Sequence, residues 1–527
     1  MNSKRKLLLI QPLWELNQQA EKFYHNMFFS KKAFSPPLAL STIATSAKKY
    51  FDTEIWDENT MGLVTDAEID LSRISLVAIT GFTIHYGRQV EISRYFRDKG
   101  ITVVVGGSGV ADDPDDYKEL FDVIFIGESE RTWPAFLEDY INGDYKDLYF
   151  EKENVDLAET PKPDWCNLIP TLSTDYILGS VQSSRGCPFS CEFCNIWRRF
   201  GRKVRCKPIE NVLDEIHQLV DNGVENILFC VDNFAGNIKY AKLLLRELIA
   251  LNSKLETPRK YHCEISLNIA KDDELLRLLG EANVSYLFIG VESPNKSSLI
   301  EMNKVQNLFE DIVEACKRIM SYGLVIEGSM IVGFDNDGPD IFQQQFDFIQ
   351  AAAIPVIRMH MLKAFPGTSL WDRLNDEGRI YTNQVKEKEN IFLYEKVTNI
   401  IPKQMSRIDF FENYIVLLEK LYDWDNFLIR LRRFVLNIRF TESLSKDSKQ
   451  KTTLPDIFIK FINQFEGKIK DEIEDIFLLT LSRVPNKIYE VITIISRHQT
   501  EAMNLPSFIS MLNNQIDEEK LQQNSLK

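Results

Sequence analysis

Short apolar runs alternate with stretches of helical spacing through the first three quarters of the chain, and then the alternation stops. In residues 1–145 the runs Leu7–Ile10, Thr53–Trp56, Leu76–Thr80, Ile101–Val105 and Val123–Ile126 predict strands. Pro36–Tyr50 and Arg88–Lys99 predict helices, the first opened by two prolines and the second stopped by Gly100. Apolar strands separated by amphipathic helices predict an α/β fold with a doubly wound, Rossmann-like parallel sheet. Ligands of such sheets bind beyond the carboxyl ends of the strands. Residues 146–175 carry Pro161, Pro163 and Pro170 and no periodicity, and read as a linker on the surface.

A second alternation fills residues 176–395. Its strands are expected at Ile177–Ser183, Asn226–Val231, His262–Leu267, Tyr286–Val291, Val325–Val332 and Val356–Leu362, with helices such as Ile209–Asn222 and Phe309–Tyr322 between them. Six such units predict a partial (β/α)6 barrel of the TIM type, with its active site at the carboxyl ends of the strands. Residues 396–527 lose the strand signal. Phe410–Phe434, Pro455–Phe465, Lys468–Leu481 and Lys487–His498 have helical spacing, and the polar tail after Asp517 is expected to be disordered.

Composition narrows the classes. A hydrophobic fraction of 44% and a charged fraction of 26% are those of a soluble globular protein. A net charge of −15 argues against a nucleic-acid partner. One basic stretch stands out, Arg198, Arg199, Arg202, Lys203, Arg205 and Lys207. It reads equally as a solvated loop or as a site for a phosphate or carboxylate. The run Leu7–Ile10 is ended by Gln11-Pro12 and is a strand rather than a signal segment, and no apolar run approaches the ~20 residues of a transmembrane segment. The cysteines, at 166, 187, 191, 194, 206, 230, 263 and 316, are too sparse for a disulfide framework, which points to a reducing, cytoplasmic setting.

The chemistry concentrates in Ser184-Arg185-Gly186-Cys187-Pro188-Phe189-Ser190-Cys191-Glu192-Phe193-Cys194, directly after the first barrel strand. Three thiolates from one loop form a cradle for a [4Fe-4S] cluster, and a fourth iron without a protein ligand keeps an open position. A structural zinc site with Cys206 as fourth ligand, and three buried cysteines, are the competing readings.

This loop resembles that of radical S-adenosylmethionine (SAM) enzymes, and the doubly wound domain before it is similar to that of the cobalamin-binding subgroup related to the hopanoid C-2 methylase. Ala33-Phe34-Ser35-Pro36-Pro37, Val231-Asp232-Asn233-Phe234-Ala235-Gly236-Asn237, Gly290-Val291-Glu292-Ser293 and Leu370-Trp371-Asp372-Arg373-Leu374 carry the likeness, as do Leu421-Tyr422-Asp423 and Arg430 in the helical tail. The resemblance implies a [4Fe-4S] cluster on Cys187, Cys191 and Cys194, S-adenosyl-L-methionine and cobalamin. Phe193, Asn233, Glu264, Asn268 and Glu292 are then expected around S-adenosylmethionine, and Gly81, His85, Gly106, Gly107, Ser108, Gly127 and Glu128 around cobalamin. Methylcobalamin domains often carry a cobalt-binding Asp-x-His-x-x-Gly; Asp57-Glu58-Asn59-Thr60-Met61-Gly62 has asparagine in place of the histidine and follows the second strand, the wrong place for that motif, so no histidine ligand is expected from it. The resemblance implies a methyltransferase acting on an unactivated carbon of a small-molecule or lipid substrate, with an electron donor such as flavodoxin or ferredoxin as partner. A radical oxidative cyclase and a non-enzymatic cobalamin sensor are the alternatives.

Overall fold

Six apolar segments assemble into the first parallel sheet of the computed structural model, which describes residues 5–14, 31–112, 114–381, 397–439 and 454–525. They are β1 (Lys6–Gln11), β2 (Asp52–Asp57), β3 (Ile74–Ile79), β4 (Thr102–Val105), β5 (Val123–Ile126) and β6 (Leu148–Phe150), in the order β2-β1-β3-β4-β5-β6. All neighbours are parallel. Leu7 to Ile10 are buried on both faces, which is why β1 reads as a continuous apolar run rather than an alternation. Helices α1 (Leu38–Ala47), α2 (Tyr86–Arg97) and α3 (Ser129–Asn142) belong to this part of the chain. The strand order reverses at β1 and β3, and open α/β sheets take their ligands in the crevice at such a point.

Strand β6 lies inside the stretch read as a linker. Only its middle residue, Tyr149, is buried, stacked on Phe125 at 5.3 Å. A three-residue edge strand carries too little periodicity to be seen in the sequence.

Two compact units make up the chain. The first comprises Met1–Phe234, Thr257–Arg259 and Lys363–Asn399; the second comprises Ala235–Glu256, Lys260–Leu362 and Ile400–Lys527. Besides the first sheet, the first unit holds β7 (Gly179–Val181), the two-residue strands β8 (Ser184–Arg185) and β9 (Arg205–Cys206), helix α4 (Ile209–Asp221) and β10 (Asn226–Phe229). Strand β7 pairs in parallel with β10, and β8 pairs antiparallel with β9.

The second unit holds α5 (Ile238–Asn252), β11 (Lys260–Glu264), α6 (Asp273–Glu281), β12 (Val284–Glu292), α7 (Ile312–Ser321), β13 (Val325–Val332), α8 (Ile341–Ala352) and β14 (Val356–Met361). These strands are parallel in the order β14-β13-β12-β11. The strand–helix alternation from β7 to β14 is that of a partial (β/α)6 barrel. Helices α9 (Arg407–Tyr422), α10 (Trp424–Asn437), α11 (Leu454–Ile462), α12 (Gly467–Arg483) and α13 (Ile488–Ser525) follow.

Two expectations change in this helical part. The single helix expected at Phe410–Phe434 is two, because Asp423 leaves helical geometry and its side chain accepts from the Asn426 N–H, capping α10. The tail expected to be disordered after Asp517 continues α13 to Ser525. Its polar sequence is held by a few inward residues: Leu512 and Ile516 are buried, and Glu519 forms a buried ion pair with Arg407 at 2.9 Å.

The third residues of β11 to β14 form a polar layer: His262, Tyr286, Glu327 and Arg358. Glu327 takes Arg358 at 2.5 Å and both terminal nitrogens of Arg497 on α13 at 2.8 and 2.5 Å. Burial works against its charge, but Arg497 and Arg358 outweigh that and hold its carboxyl down to about 2. Tyr286 stacks on His262 at 5.3 Å and donates to the Glu490 carbonyl at 3.3 Å.

Candidate functional site

Gly186 opens the cysteine loop with a φ of 93°. A side chain there would meet the carbonyls of Lys203, Gly201 and Phe200 at 3.0 to 3.3 Å, so only glycine lets residues 200–203 lie over the loop. The Gly186 N–H donates to Asp232 at 2.7 Å, just past β10. Burial raises the Asp232 carboxyl, and the bond from Gly186 works the other way. Asn233 donates to the Cys187 sulfur at 3.9 Å. The Cys194 N–H donates to the Cys191 carbonyl at 3.1 Å, and the Trp197 indole donates to the same carbonyl at 3.1 Å. Cys191 is buried, whereas Cys187, Cys194 and Phe193 are half-buried.

Three groups of bonds hold this loop from outside. Glu128, after β5, takes Arg185 at 3.2 Å and Arg205 at 2.5 and 2.8 Å, and also accepts the Val155 N–H at 2.7 Å. Burial disfavours its charge, but the arginines prevail and keep the carboxyl below its ordinary range. Arg185 reaches Glu130 as well, at 2.8 Å. Asp112, after β4, accepts from Asn195 at 3.0 Å and pairs with Arg199, while Thr83 from the loop after β3 donates to it at 3.4 Å. On the third side, helix Ser369–Asp376 grips the loop: Arg373 forks onto Glu192 at 2.7 and 3.0 Å, the Leu370 N–H donates to the Glu192 carbonyl at 3.0 Å, and Arg198 pairs with Asp372 at 2.8 Å.

These bonds resolve the basic stretch. Arg198, Arg199 and Arg205 pair with Asp372, Asp112 and Glu128, and Lys207 forms a buried pair with Glu215 at 2.6 Å. Four of the six cations are therefore internal braces, neither a solvated loop nor an anion site. Glu128, expected beside a cofactor, is likewise consumed by arginines.

The glycines at the ends of the first sheet divide. A side chain on Gly107 (φ 106°) would lie 2.5 Å from the Gly81 carbonyl, and one on Gly127 (φ 89°) would lie 2.4 Å from the Glu151 carbonyl. At Gly81 it would meet Gln89 at 2.9 Å and His85 at 3.0 Å. At all three the missing side chain lets protein groups approach closely. Gly106 meets only Phe125, at 3.4 Å, and Ser108 beside it is half-buried. His85 is buried, its Nδ1 accepts the Phe82 N–H at 2.9 Å, and burial lowers it to about 4. With Nδ1 an acceptor, the proton of the neutral ring sits on Nε2, so His85 offers no free lone pair to a cobalt ion.

What the sequence did not single out is the aromatic pair around that histidine. Trp14 follows β1 and Phe82 follows β3, the two strands at the reversal of strand order. Their rings lie 6.3 and 5.9 Å from the imidazole and are 41% and 61% exposed. The Asp57–Gly62 segment is structural: Tyr176 donates to Asp57 at 2.9 Å, and buried Glu58 holds Arg88 at 2.7 and 2.9 Å and the N–H groups of Leu13 and Val64.

In the second unit, Glu264 closes β11 and is exposed. Asn268 lies past the strand in the 3-10 turn Leu267–Lys271, half-buried. Glu292 closes β12 with a φ of 68°, buried and paired with Lys304 at 2.7 Å, while Asn307 ties down the Gly290 and Val291 carbonyls at 2.8 and 2.9 Å.

Among the described residues, no three of His, Cys, Asp and Glu converge on one point as a mononuclear zinc site needs. In an iron–sulfur cluster each thiolate takes its own iron, so the donors stand apart, and three thiols on one braced loop fit that group. Cys206 lies opposite Ser184 in the β8–β9 hairpin.

A model of the radical SAM superfamily matches residues 181–349, and one of a domain of unknown function, DUF4070, matches residues 368–500. The hopanoid C-2 methylase of Rhodopseudomonas palustris is 30% identical over 400 residues, 74% of each chain. The bacteriochlorophyllide d C-12(1)-methyltransferase of Chlorobaculum tepidum is 27% identical over 463 residues, 87% of this chain and 96% of that one. In fold, the chain is similar to the cobalamin-dependent S-adenosylmethionine radical enzyme OxsB, with a TM-score of 0.62 at 14% identity over 97% of this chain and 81% of that one. The chain belongs to the radical SAM superfamily, in the family of the hopanoid C-2 methylase. It is a radical SAM enzyme, and among its described residues no helix is long and apolar enough to cross a membrane.

Proposed function

We propose that this enzyme is a cobalamin-dependent methyltransferase that places a methyl group on an unactivated carbon of a small-molecule or lipid substrate. The observation that carries the reading is the attachment of the cysteine loop to the ligand-binding end of the first sheet, through Asp112 after β4 and Glu128 after β5. A loop that initiates radicals is thereby tied to a domain whose form suits a second cofactor. The relatives that bear methyltransferase names support the same reading.

The residues have distinct parts. Cys187, Cys191 and Cys194 would hold the cluster, with Asn233 donating to the first sulfur. When bound, the cluster and S-adenosylmethionine supply a 5′-deoxyadenosyl radical, and methylcobalamin supplies the methyl group. Phe193, Asn268 and Glu292 are the groups we assign to S-adenosylmethionine; Lys304 and Asn307 fix the Glu292 carboxylate and its backbone in one orientation. Trp14, Phe82, Gly106 and Ser108 would face cobalamin: two exposed aromatic rings at the reversal point suit a broad, largely apolar macrocycle. His85 would not bind cobalt.

Comparison of lipid and metabolite masses in cells with and without the gene tests the proposal. A product heavier by one methylene unit, present only with the gene, is expected. A gene-dependent product that has lost hydrogen instead would overturn methyl transfer in favour of oxidative ring formation.

A further inference from the structure

We infer that Arg202 and Lys203 form the docking spot for an acidic one-electron carrier protein of the flavodoxin kind. The inference rests on the radical chemistry of the proposed function. It starts from the two cations of the basic stretch that the braces do not use. Both are exposed, and neither has a carboxylate partner among the described residues. Their place is specific. Arg202 donates from Nε to the carbonyl of Pro188 at 3.2 Å, and Pro188 follows the ligand Cys187 directly. The Lys203 carbonyl lies over Gly186, the residue before that ligand.

Pro188, Phe189 and Ser190 are half-buried, so this side of the loop meets solvent. An electron entering here crosses only the loop itself before it reaches a ligand sulfur. On a chain of net charge −15, the average surface does not attract an acidic carrier. A local pair of cations at the loop then selects where and in what orientation such a carrier settles. Docking makes and breaks no bond: the carrier is oxidised by one electron and the cluster site is reduced by one.

The test uses the full chain with its cluster reconstituted and follows 5′-deoxyadenosine formation, driven either by dithionite or by reduced flavodoxin. Flavodoxin binding is measured separately by calorimetry. In R202E/K203E the dithionite-driven rate is expected to stay within about twofold of the parent, because the small reductant needs no docking. The flavodoxin concentration for half-maximal rate, and its Kd, are expected to rise about tenfold at low salt, with the difference shrinking as salt is added. R202K/K203R should behave as the parent. Since Arg202 also bonds the loop, K203E alone is the second variant; its side chain has no bond to the loop among the described residues, and a several-fold rise is expected. Unchanged flavodoxin dependence in both reversed variants overturns the docking assignment, and so does equal loss with dithionite and flavodoxin in both. If the parent itself makes no 5′-deoxyadenosine with dithionite, it is the radical reading that fails.

Discussion

Two regions of this protein bury charge in quantity, and they do so for different ends. At the carboxyl ends of the first sheet, Asp112 and Glu128 reach arginines on either side of a cysteine loop. At the third positions of β11 to β14, Glu327 is wrapped by Arg358 and Arg497, while Glu490 takes Lys260. The second region is the more strongly perturbed by burial; Arg497 and Glu490 come from α13, and their pairs fasten that helix to the sheet. The first region gains its meaning from what it braces. A shifted carboxyl is thus a sign of function only when the segment it holds has chemistry of its own.

The sharpest way to separate the regions is to remove a thiolate. Cys191→Ala should abolish the reconstituted cluster's visible absorption and lower 5′-deoxyadenosine formation by about a thousandfold or more, while the melting temperature of the apo-protein hardly moves. In the other region the effects should exchange. Arg497→Met leaves Glu327 buried with one exposed partner, and is expected to cost about 3–5 kcal/mol of stability in denaturant titrations with the rate per folded molecule unchanged.

Acid should tell on both regions. His85 and His262 are each held near 4 by burial, below the ordinary 6.5. The unfolded chain therefore binds protons that the native one refuses. The stability each neutral ring contributes is present above pH 6.5 and is lost as pH falls from there towards 4, about 3 kcal/mol for each. Thermal melts of His85→Asn, which keeps an acceptor for the Phe82 N–H, should fall less steeply over that window than those of the parent. The smallest change is Asp112→Asn, which keeps the size but surrenders the charge facing Arg199. It should cost about 1–2 kcal/mol and speed hydrogen exchange in residues 195–200 more than anywhere in β11 to β14.

Much of the first region's position was legible, and almost none of its bonding. The cysteine spacing marks the loop, and the apolar runs place it after β7. Its braces join residues as far apart as Glu192 and Arg373, and no local pattern records such a pair. The sequence could not show what the glycines make room for: at Gly81, Gly107 and Gly127 a side chain would meet a neighbouring loop, which in sequence looks the same as room for a ligand. Trp14 and Phe82 gave no signal because exposure is not written in residue type. The helical tail beyond Asp517 was hidden by its polarity; Leu512 and Ile516 are buried just before it, and within it Glu519 pairs with Arg407 of α9.

One carboxylate, Glu128, fastens both Arg185 and Arg205, and so ties together the two ends of the segment that carries the thiols. A chain crossed in this way has already given up much of the freedom that metal binding would otherwise have to remove. Less ordering is then left for iron and sulfide to impose on this loop when the cluster is assembled there.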